Sequence, residues 1–323
     1  MRIIDFTAEQ IPQAAALAAA NYEEERLRVA ALPPYAQSLQ ASQPLEPLVG
    51  EFAENGLGVA AFEGERMVGF LGACAPFDNA FGTTGVRGVF SPIHAHGAVY
   101  QDREKIYQRL YQAAADKWVA AGAISHAAAL YEHDRIGQRA FYRYGFGLRC
   151  VDAIRYLEAV PTVTTEFQCE YAELSPAEAP ELAFLNNMLI AHLGKSPCFI
   201  SYPSTTGEAL SAQAESNRFF AAIREGKPIA YLRLSSEGET FVTLDDSMPN
   251  ISGAACLPQY RGSGVAQNLL AYLTAVLAKE GYTRLGVDFE SFNPTARGFW
   301  LKHFTAYTAG VVRRVDDYIL QYR

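Results

Sequence analysis

The segment at residues 256–266, C-L-P-Q-Y-R-G-S-G-V-A, has the spacing best suited to ligand chemistry in this chain. An apolar strand is predicted to end at Pro258, and a helix to begin after Gly262 and Gly264. The first N–H groups of such a helix lack partners, and with the positive end of its dipole they attract anions. Glycine permits positive φ and close approach of a ligand to the backbone. Two interpretations are open: a pyrophosphate-binding loop, or a tight turn without a ligand.

The same spacing excludes two other phosphate-binding motifs. No Lys-Ser/Thr pair follows Gly264, as a P-loop requires. Gln267 stands where the dinucleotide-binding fingerprint needs its third glycine.

The order of elements that positions this turn occurs twice. Residues 122–141 align without gaps with residues 281–300, and the hairpin turns at Gly64 and Gly226 lie at nearly the same offset. A polar, β-leaning stretch at 161–165 separates the copies. We therefore predict two tandem domains, 1–160 and 161–323, of α/β (α+β) class with mixed sheets. In the second copy the predicted strands are 167–174, 219–224, 228–235, 240–244, 251–257, 284–290 and 311–321, and the predicted helices are 180–193, 264–280 and 293–304.

Composition narrows the class of protein. With 27 Lys+Arg against 35 Asp+Glu, the net charge of −8 disfavours nucleic-acid binding. The five cysteines are widely spaced and the six histidines are scattered, which indicates free thiols and no metal site. No leader pattern and no run of ~18 apolar residues is present. We expect a cytoplasmic protein without a membrane partner, and nothing in the sequence indicates an oligomer.

The glycine turn resembles motif A of the GNAT (Gcn5-related) N-acetyltransferase superfamily, V-x-P-x-Y-R-G-x-G-[IV]-[GA]. Residues 261–266 fill its R/Q-x-x-G-x-G/A core, and Cys256 replaces the usual Val. Residues 293–300, N-P-T-A-R-G-F-W, resemble motif B, N-x-x-A-x-x-[FL]-Y. The resemblance covers nearly the whole chain. It implies two tandem GNAT-like domains, each a mixed, centrally splayed β-sheet flanked by helices.

The resemblance further implies acetyl-CoA as co-substrate in the C-terminal copy. Its pantetheine arm would pair with the backbone of Ala255, Cys256 and Leu257, in an opening between strands 251–257 and 284–290. Asn293 would reach the cofactor, although a plain helix N-cap is the alternative. The cofactor-binding set also includes Trp300 and the N–H groups that would hold the pyrophosphate, those of Arg261, Gly262, Ser263, Gly264, Val265 and Ala266.

The N-terminal copy departs from the motif. When Pro92 is matched to Pro258, Ala95 replaces the arginine, and His96 and Ala98 replace the two glycines. His94 and His96 alternate as strand residues do, but no third ligand for a metal is near in sequence. This copy is predicted to be structural or to shape the acceptor site. We expect one acetyl-CoA per chain.

Acetylation of an amine needs a base for the ammonium proton and an acid for the leaving thiolate. Asp288 and Glu290 alternate on strand 284–290 and so face one side of the sheet, where either is a candidate base. Helix-cap or surface contacts are the alternative for both. The acid that the family takes from motif B is absent, because Trp300 carries only an indole N–H. Tyr307, Tyr260, Tyr202 and solvent stay open as substitutes.

The sequence therefore predicts an N-acetyltransferase that acts on a primary amine of a small molecule, or on a peptide N-terminus or lysine. A non-catalytic acyl-CoA-binding or sensing protein is the alternative, because the motif-B tyrosine is missing. Release of free thiol with a panel of polyamines, amino acids and aminoglycosides would distinguish the two.

Overall fold

The computed structural model describes residues 1–34, 45–82 and 85–322. The chain divides into two compact units. Unit 1 comprises Met1–Asp152, Thr240–Val242 and Ala306–Arg323. Unit 2 comprises Ala153–Glu239 and Thr243–Thr305. No helix of the described residues has both the length and the apolar character needed to cross a membrane.

Unit 1 holds two sheets and the helices that cover them. Its elements, numbered along the whole chain, are β1 Arg2–Asp5, α1 Ile11–Arg26, α2 Leu45–Glu54, β2 Val59–Glu63, β3 Arg66–Leu71, β4 Gly88–Ser91, β5 His96–Ala98, α3 Arg103–Ala120, β6 Ser125–Tyr131, α4 Arg135–Tyr142, the part of β7 (Gly147–Tyr156) that ends at Asp152, and β14 Thr308–Arg314. One sheet has the order β1-β2-β3-β5, and the other includes β4-β6-β14-β7. Buried side chains of α3 (Ile106, Leu110, Ala114 and Trp118) recur at helical spacing and belong to the core.

The last strand of the chain lies in the sheet of unit 1. β14 pairs antiparallel with all of β6, from Thr308 opposite Tyr131 to Arg314 opposite Ser125. On its other edge β14 pairs with β7. The compact units therefore differ from the contiguous halves 1–160 and 161–323: unit 2 begins within β7, and unit 1 contains the chain's final strand.

Unit 2 contains the glycine turn and a mixed sheet. Its elements are β8 Glu170–Leu174, α5 Ala183–Leu193, α6 Gly207–Gln213, β9 Asn217–Arg224, β10 Lys227–Ser235, β11 Asn250–Cys256, α7 Val265–Lys279, β12 Arg284–Glu290, α8 Pro294–His303 and, at the unit boundary, β13 Thr305–Ala306. The sheet has the order β7-β12-β11-β10-β9-β8. β11 and β12 are parallel, whereas the β8–β9, β9–β10 and β10–β11 pairs are antiparallel. This is the mixed, helix-flanked sheet that the sequence predicts.

Two predicted strands contain 3-10 helices, and one short helix was missed. The predicted strand at 311–321 corresponds to β14, which ends at Arg314, and the 3-10 helix Asp317–Gln321 follows it. The predicted strand at 240–244 contains a 3-10 helix, Phe241–Leu244. There the Thr243 hydroxyl accepts from the N–H of Gly238 at 2.9 Å, a local contact that replaces strand pairing. The short helix α6 was missed, although Thr206 caps it by accepting from the N–H of Ala209.

Candidate functional site

β11 and β12 pair over two residues and then separate. The parallel ladder joins Asn250 to Gly286 and Ile251 to Val287. β11 meanwhile stays paired with β10 as far as Cys256. Within the part of the chain that the structure describes, the β12-facing edge of β11 therefore has no ladder beyond Ile251. That edge offers N–H and C=O groups to an extended ligand.

The glycine turn follows the end of β11. Gly262 and Gly264 have φ of +74° and +93°, in the left-handed region that favours glycine. A Cβ built on Gly262 would have no atom within 4 Å, so this glycine faces open space. The Arg261 side chain turns back, and its Nε donates to the Cys256 carbonyl at 3.1 Å.

Gly264 has a different role. It is the N-cap of α7, and as a glycine it carries no side-chain oxygen for the helix's first N–H groups. A Cβ on Gly264 would collide with the side chain of Val163. The segment that holds Val163 is fixed to α7, because the Asn268 amide donates to the Val163 carbonyl at 3.0 Å and accepts from its N–H at 2.9 Å. The absence of a side chain at Gly264 thus leaves room for the segment at residues 161–165.

A cavity of about 380 Å³ lies beside the turn, within unit 2. It is lined by α5, β10, β11, the start of α7 and α8, and its walls are mainly apolar. The predicted cofactor-binding residues that line it are Ala255, Cys256, Arg261, Gly262, Ala266, Asn293 and Trp300. Leu257, Ser263, Gly264 and Val265 belong to the same turn but not to its lining.

Two hydroxyl- or thiol-bearing residues of the lining are held in their neutral forms. Burial raises the pKa of the Cys256 thiol to about 11, which opposes a nucleophilic role. Burial likewise raises the pKa of Tyr231 to about 12, and its hydroxyl donates to Asn186 at 2.7 Å. Neither group is suited to proton transfer near neutral pH.

His192 is a lining residue that sequence reasoning missed. Its Nε2 lies 3.3 Å from Oδ1 of Asn293, which also accepts from the Thr295 hydroxyl at 2.7 Å and from the N–H of Ala296 at 3.4 Å. The same Nε2 also lies 3.4 Å from the Thr295 hydroxyl. Asn293 is therefore a helix cap and an anchor for His192 at once. No sequence spacing signals this pair, because the two residues are far apart in the chain.

Asp288 lies where β11 and β12 are still close together. Its Oδ1 accepts from the Asn250 amide at 2.8 Å, and Asn250 is part of the two-residue ladder. Burial raises the pKa of Asp288, while this hydrogen bond and the charge of Arg233 lower it. Asp288 thus stabilises the paired end of the gap between β11 and β12, which we call the split. The paired end is its closed end, and the end where the strands are separate is its open end.

Glu290 is the last residue of β12, at the open end of the split. It is half-buried, and Leu285, Val287 and Phe289 occupy the opposite, buried face of the strand. Its backbone carbonyl accepts from the N–H of Asn293 at 3.0 Å. Burial and the charge of the Glu290 carboxylate raise the pKa of the Cys198 thiol.

The aromatic candidates for the acid are placed unevenly. Trp300 is 4% exposed and lines the cavity. Tyr307 belongs to unit 1, where it is buried and its hydroxyl lies 2.8 Å from that of Thr240. Tyr307 is not among the residues that line the cavity of unit 2.

In unit 1 the two histidines of the divergent turn are packing residues. His96 is buried, with Nδ1 3.0 Å from the Tyr107 hydroxyl and Nε2 2.8 Å from the Ala129 carbonyl. The His94 ring packs against Phe52 and Phe241. Among the described residues, no group of three or more His, Cys, Asp or Glu side chains is arranged to hold a metal.

Residues 189–304 match the model of the Acetyltransferase (GNAT) family. A solved GCN5-related N-acetyltransferase from Sphaerobacter thermophilus is similar over 97% of this chain and 95% of its own, at 14% identity and a TM-score of 0.56. A GCN5-related glucosamine N-acetyltransferase region of a fungal multi-domain β-N-acetylglucosaminidase covers 96% of this chain and 38% of that one, at 12% identity and a TM-score of 0.53. No curated protein sequence matches the chain. Residues 189–304 therefore resemble the GNAT family in sequence, and the chain has the GNAT fold over nearly its whole length.

Proposed function

We propose that this protein is an N-acetyltransferase that transfers an acetyl group from acetyl-CoA to a primary amine of a small molecule, or to a peptide N-terminus or lysine. One observation carries the proposal. The ladder between β11 and β12 ends after two residues, the helix that follows β11 begins at a glycine, and β11 and the start of that helix both line a cavity. An extended thioester ligand with a pyrophosphate at one end fits this combination.

The residues of unit 2 supply the binding. The N–H groups after Gly262 face an anion with the positive end of α7 behind them, and no side chain at Gly262 blocks the approach. The β12-facing edge of β11 beyond Ile251 pairs with amide groups of the bound molecule. Acetyl-CoA, when bound, supplies an activated acetyl thioester. The raised pKa of Cys256 favours direct attack by the amine over transfer through an enzyme thiol.

Glu290 is our first candidate for the base. It lies at the open end of the split, whereas Asp288 is committed to Asn250 at the closed end. His192 is the second candidate, because it lines the cavity and its ring is held next to Asn293. For the acid we propose solvent, since a free thiol has a pKa of ~8.5 and its thiolate leaves readily near neutral pH.

A non-catalytic acyl-CoA-binding protein is the second candidate function. It is favoured by Trp300, which fills the motif-B tyrosine position with an indole. Both functions share the same cofactor site.

The deciding experiment follows acetylated product by mass spectrometry. Intact protein is incubated with acetyl-CoA and separate polyamines, amino acids or aminoglycosides. Mass spectrometry is preferred to thiol detection because the chain has five cysteines of its own. Acetylation that depends on enzyme supports the transferase, whereas saturable binding without any product supports the acyl-CoA-binding protein.

Calorimetry on the same sample tests the stoichiometry. We expect one equivalent of acetyl-CoA per chain, because His96 is buried and fully hydrogen-bonded where the first glycine of the motif would be. Two equivalents would contradict this part of the proposal.

A further inference from the structure

Unit 1 has a cavity of its own, of about 540 Å³. It lies among α1, the start of α3, the end of β6 and the start of α4. In the repeat these elements correspond in order to α5, α7, β12 and α8, of which α5, α7 and α8 line the cavity of unit 2. Three corresponding elements therefore border a cavity in each copy, while the turns of the two copies diverge.

The inner wall of this cavity carries buried charge. Glu25 is 2% exposed, and its carboxylate accepts from the backbone N–H of His133 at 3.1 Å and from the ring Nδ1 at 2.7 Å. Arg103 is 3% exposed and donates two bonds to Glu24, at 2.8 and 2.9 Å. Arg103 also lies 3.4 Å from Asp134. The guanidinium is thus already neutralised by two carboxylates, and a phosphate would have to compete with them.

Tyr131 supplies an independent observation that points to a ligand. It is 5% exposed and lines the cavity, and its hydroxyl has no hydrogen-bond partner among the described residues. Burial raises the pKa of Tyr131 well above its usual value, and the neighbouring groups Tyr22, Glu25, Tyr107 and Glu24 add to this rise. Glu24 and Glu25 line the same cavity as Tyr131. Buried hydroxyls without a partner are rare in native proteins because they lose their bonds to water.

We propose that this cavity binds a small molecule with one protonated amine, whose N–H groups are received by Glu25 and Tyr131. An ammonium has three donors, and it offers positive charge to a carboxylate and a hydrogen bond to the hydroxyl oxygen at once. Arg28 also lines the cavity, and its charge disfavours polyamines. Because this copy lacks the glycine turn, the amine is bound there and not acetylated.

Calorimetric titration of the intact protein with n-butylamine at neutral pH tests the proposal. 1-Butanol, which has a similar shape and no charge, is the control ligand. Tyr131→Phe removes only the hydroxyl and is expected to weaken butylammonium binding about tenfold. Tyr142→Phe is the matched control, because Tyr142 is in the same unit, half-exposed and outside the cavity lining. It should bind butylammonium as the unmodified protein does.

Glu25→Gln provides a second variant, which keeps the shape and hydrogen-bond acceptor but loses the charge. It is expected to lose more affinity than Tyr131→Phe. The proposal is overturned if butylamine and 1-butanol bind alike, if no saturable binding occurs, or if the two tyrosine variants bind butylamine equally. The last result would place the amine in the cavity of unit 2 instead. Failure of acetyltransferase activity leaves these outcomes unchanged, so the two proposals are tested separately.

Discussion

The glycine turn offers a test in which backbone strain and ligand contact can be separated. Gly262 and Gly226 have nearly the same φ, +74° and +71°, and a Cβ on either would meet no atom within 4 Å. Placing alanine in this left-handed region costs roughly 1–2 kcal/mol of stability at either position. Only Gly262 lines the cavity, so only there does the new methyl group stand between a phosphate and the N–H groups.

The expected loss of affinity follows from the bonds displaced. A hydrogen bond to a charged group contributes about 1.5–3 kcal/mol, and losing one such bond weakens binding roughly 10- to 150-fold. Titration calorimetry with CoA should show this loss for Gly262→Ala and unchanged affinity for Gly226→Ala. Urea unfolding should give both variants a similar decrease in stability. Equal CoA affinity of the two variants would refute the assignment of this turn to the pyrophosphate.

Three further predictions concern other parts of the chain. Gly264→Ala should lower the free energy of unfolding by roughly 1–3 kcal/mol, because the new methyl group meets Val163. Adding Val163→Ala should restore part of the lost free energy of unfolding in urea titrations. A double variant that is no more stable than Gly264→Ala alone would contradict this contact. Glu290→Gln should lower kcat/KM about 100-fold with CoA affinity retained, whereas Asp288→Asn should have a much smaller effect; a reversed order of the two in steady-state kinetics would move the base to Asp288. His126 is fully buried, and burial lowers its pKa to about 4, whereas an exposed histidine has a pKa of ~6.5. The folded protein is therefore most stable above pH ~6.5, where His126 is neutral in both states. This stability is lost as the pH falls toward 4, because the unfolded chain then binds a proton that the folded chain does not. Lowering the pH from 7 to 5 should therefore cost about 2 kcal/mol through this group, and His126→Gln should flatten the dependence of the urea midpoint on pH; an unchanged slope would show that His126 titrates normally.

The parts of the site that follow one another in the chain could be predicted from the sequence. Two glycines between an apolar strand and an amphipathic helix have few local solutions, and the structure places them at the start of α7 with positive φ. The alternation along β12 also places Asp288 and Glu290 on one face, because side-chain direction in a strand has a period of two.

Contacts between distant segments could not be predicted in this way. His192 meets Asn293 only because α5 packs near the start of α8, and neither residue carries a spacing signal for the other. The contact with Val163 that requires glycine at position 264 could not be predicted either, since Val163 lies about a hundred residues earlier in the chain. The apolar pattern of β14 indicates a strand, but the same pattern would fit any half-buried sheet. It therefore does not predict which strands lie next to β14.

That last strand has a consequence for how the protein is made. β14 occupies the space between β6 and β7 in the sheet of unit 1, so the unit lacks an interior strand until Thr308–Arg314 have been synthesised. At 5–20 residues per second, the ribosome needs roughly 10–30 s to proceed from the end of the first segment of unit 1 to this strand. During that interval the edges of β6 and β7 carry unpaired N–H and C=O groups, which can recruit strands of other chains. The nascent N-terminal half is therefore the stage at which a chaperone that shields strand edges would most increase the yield of native protein.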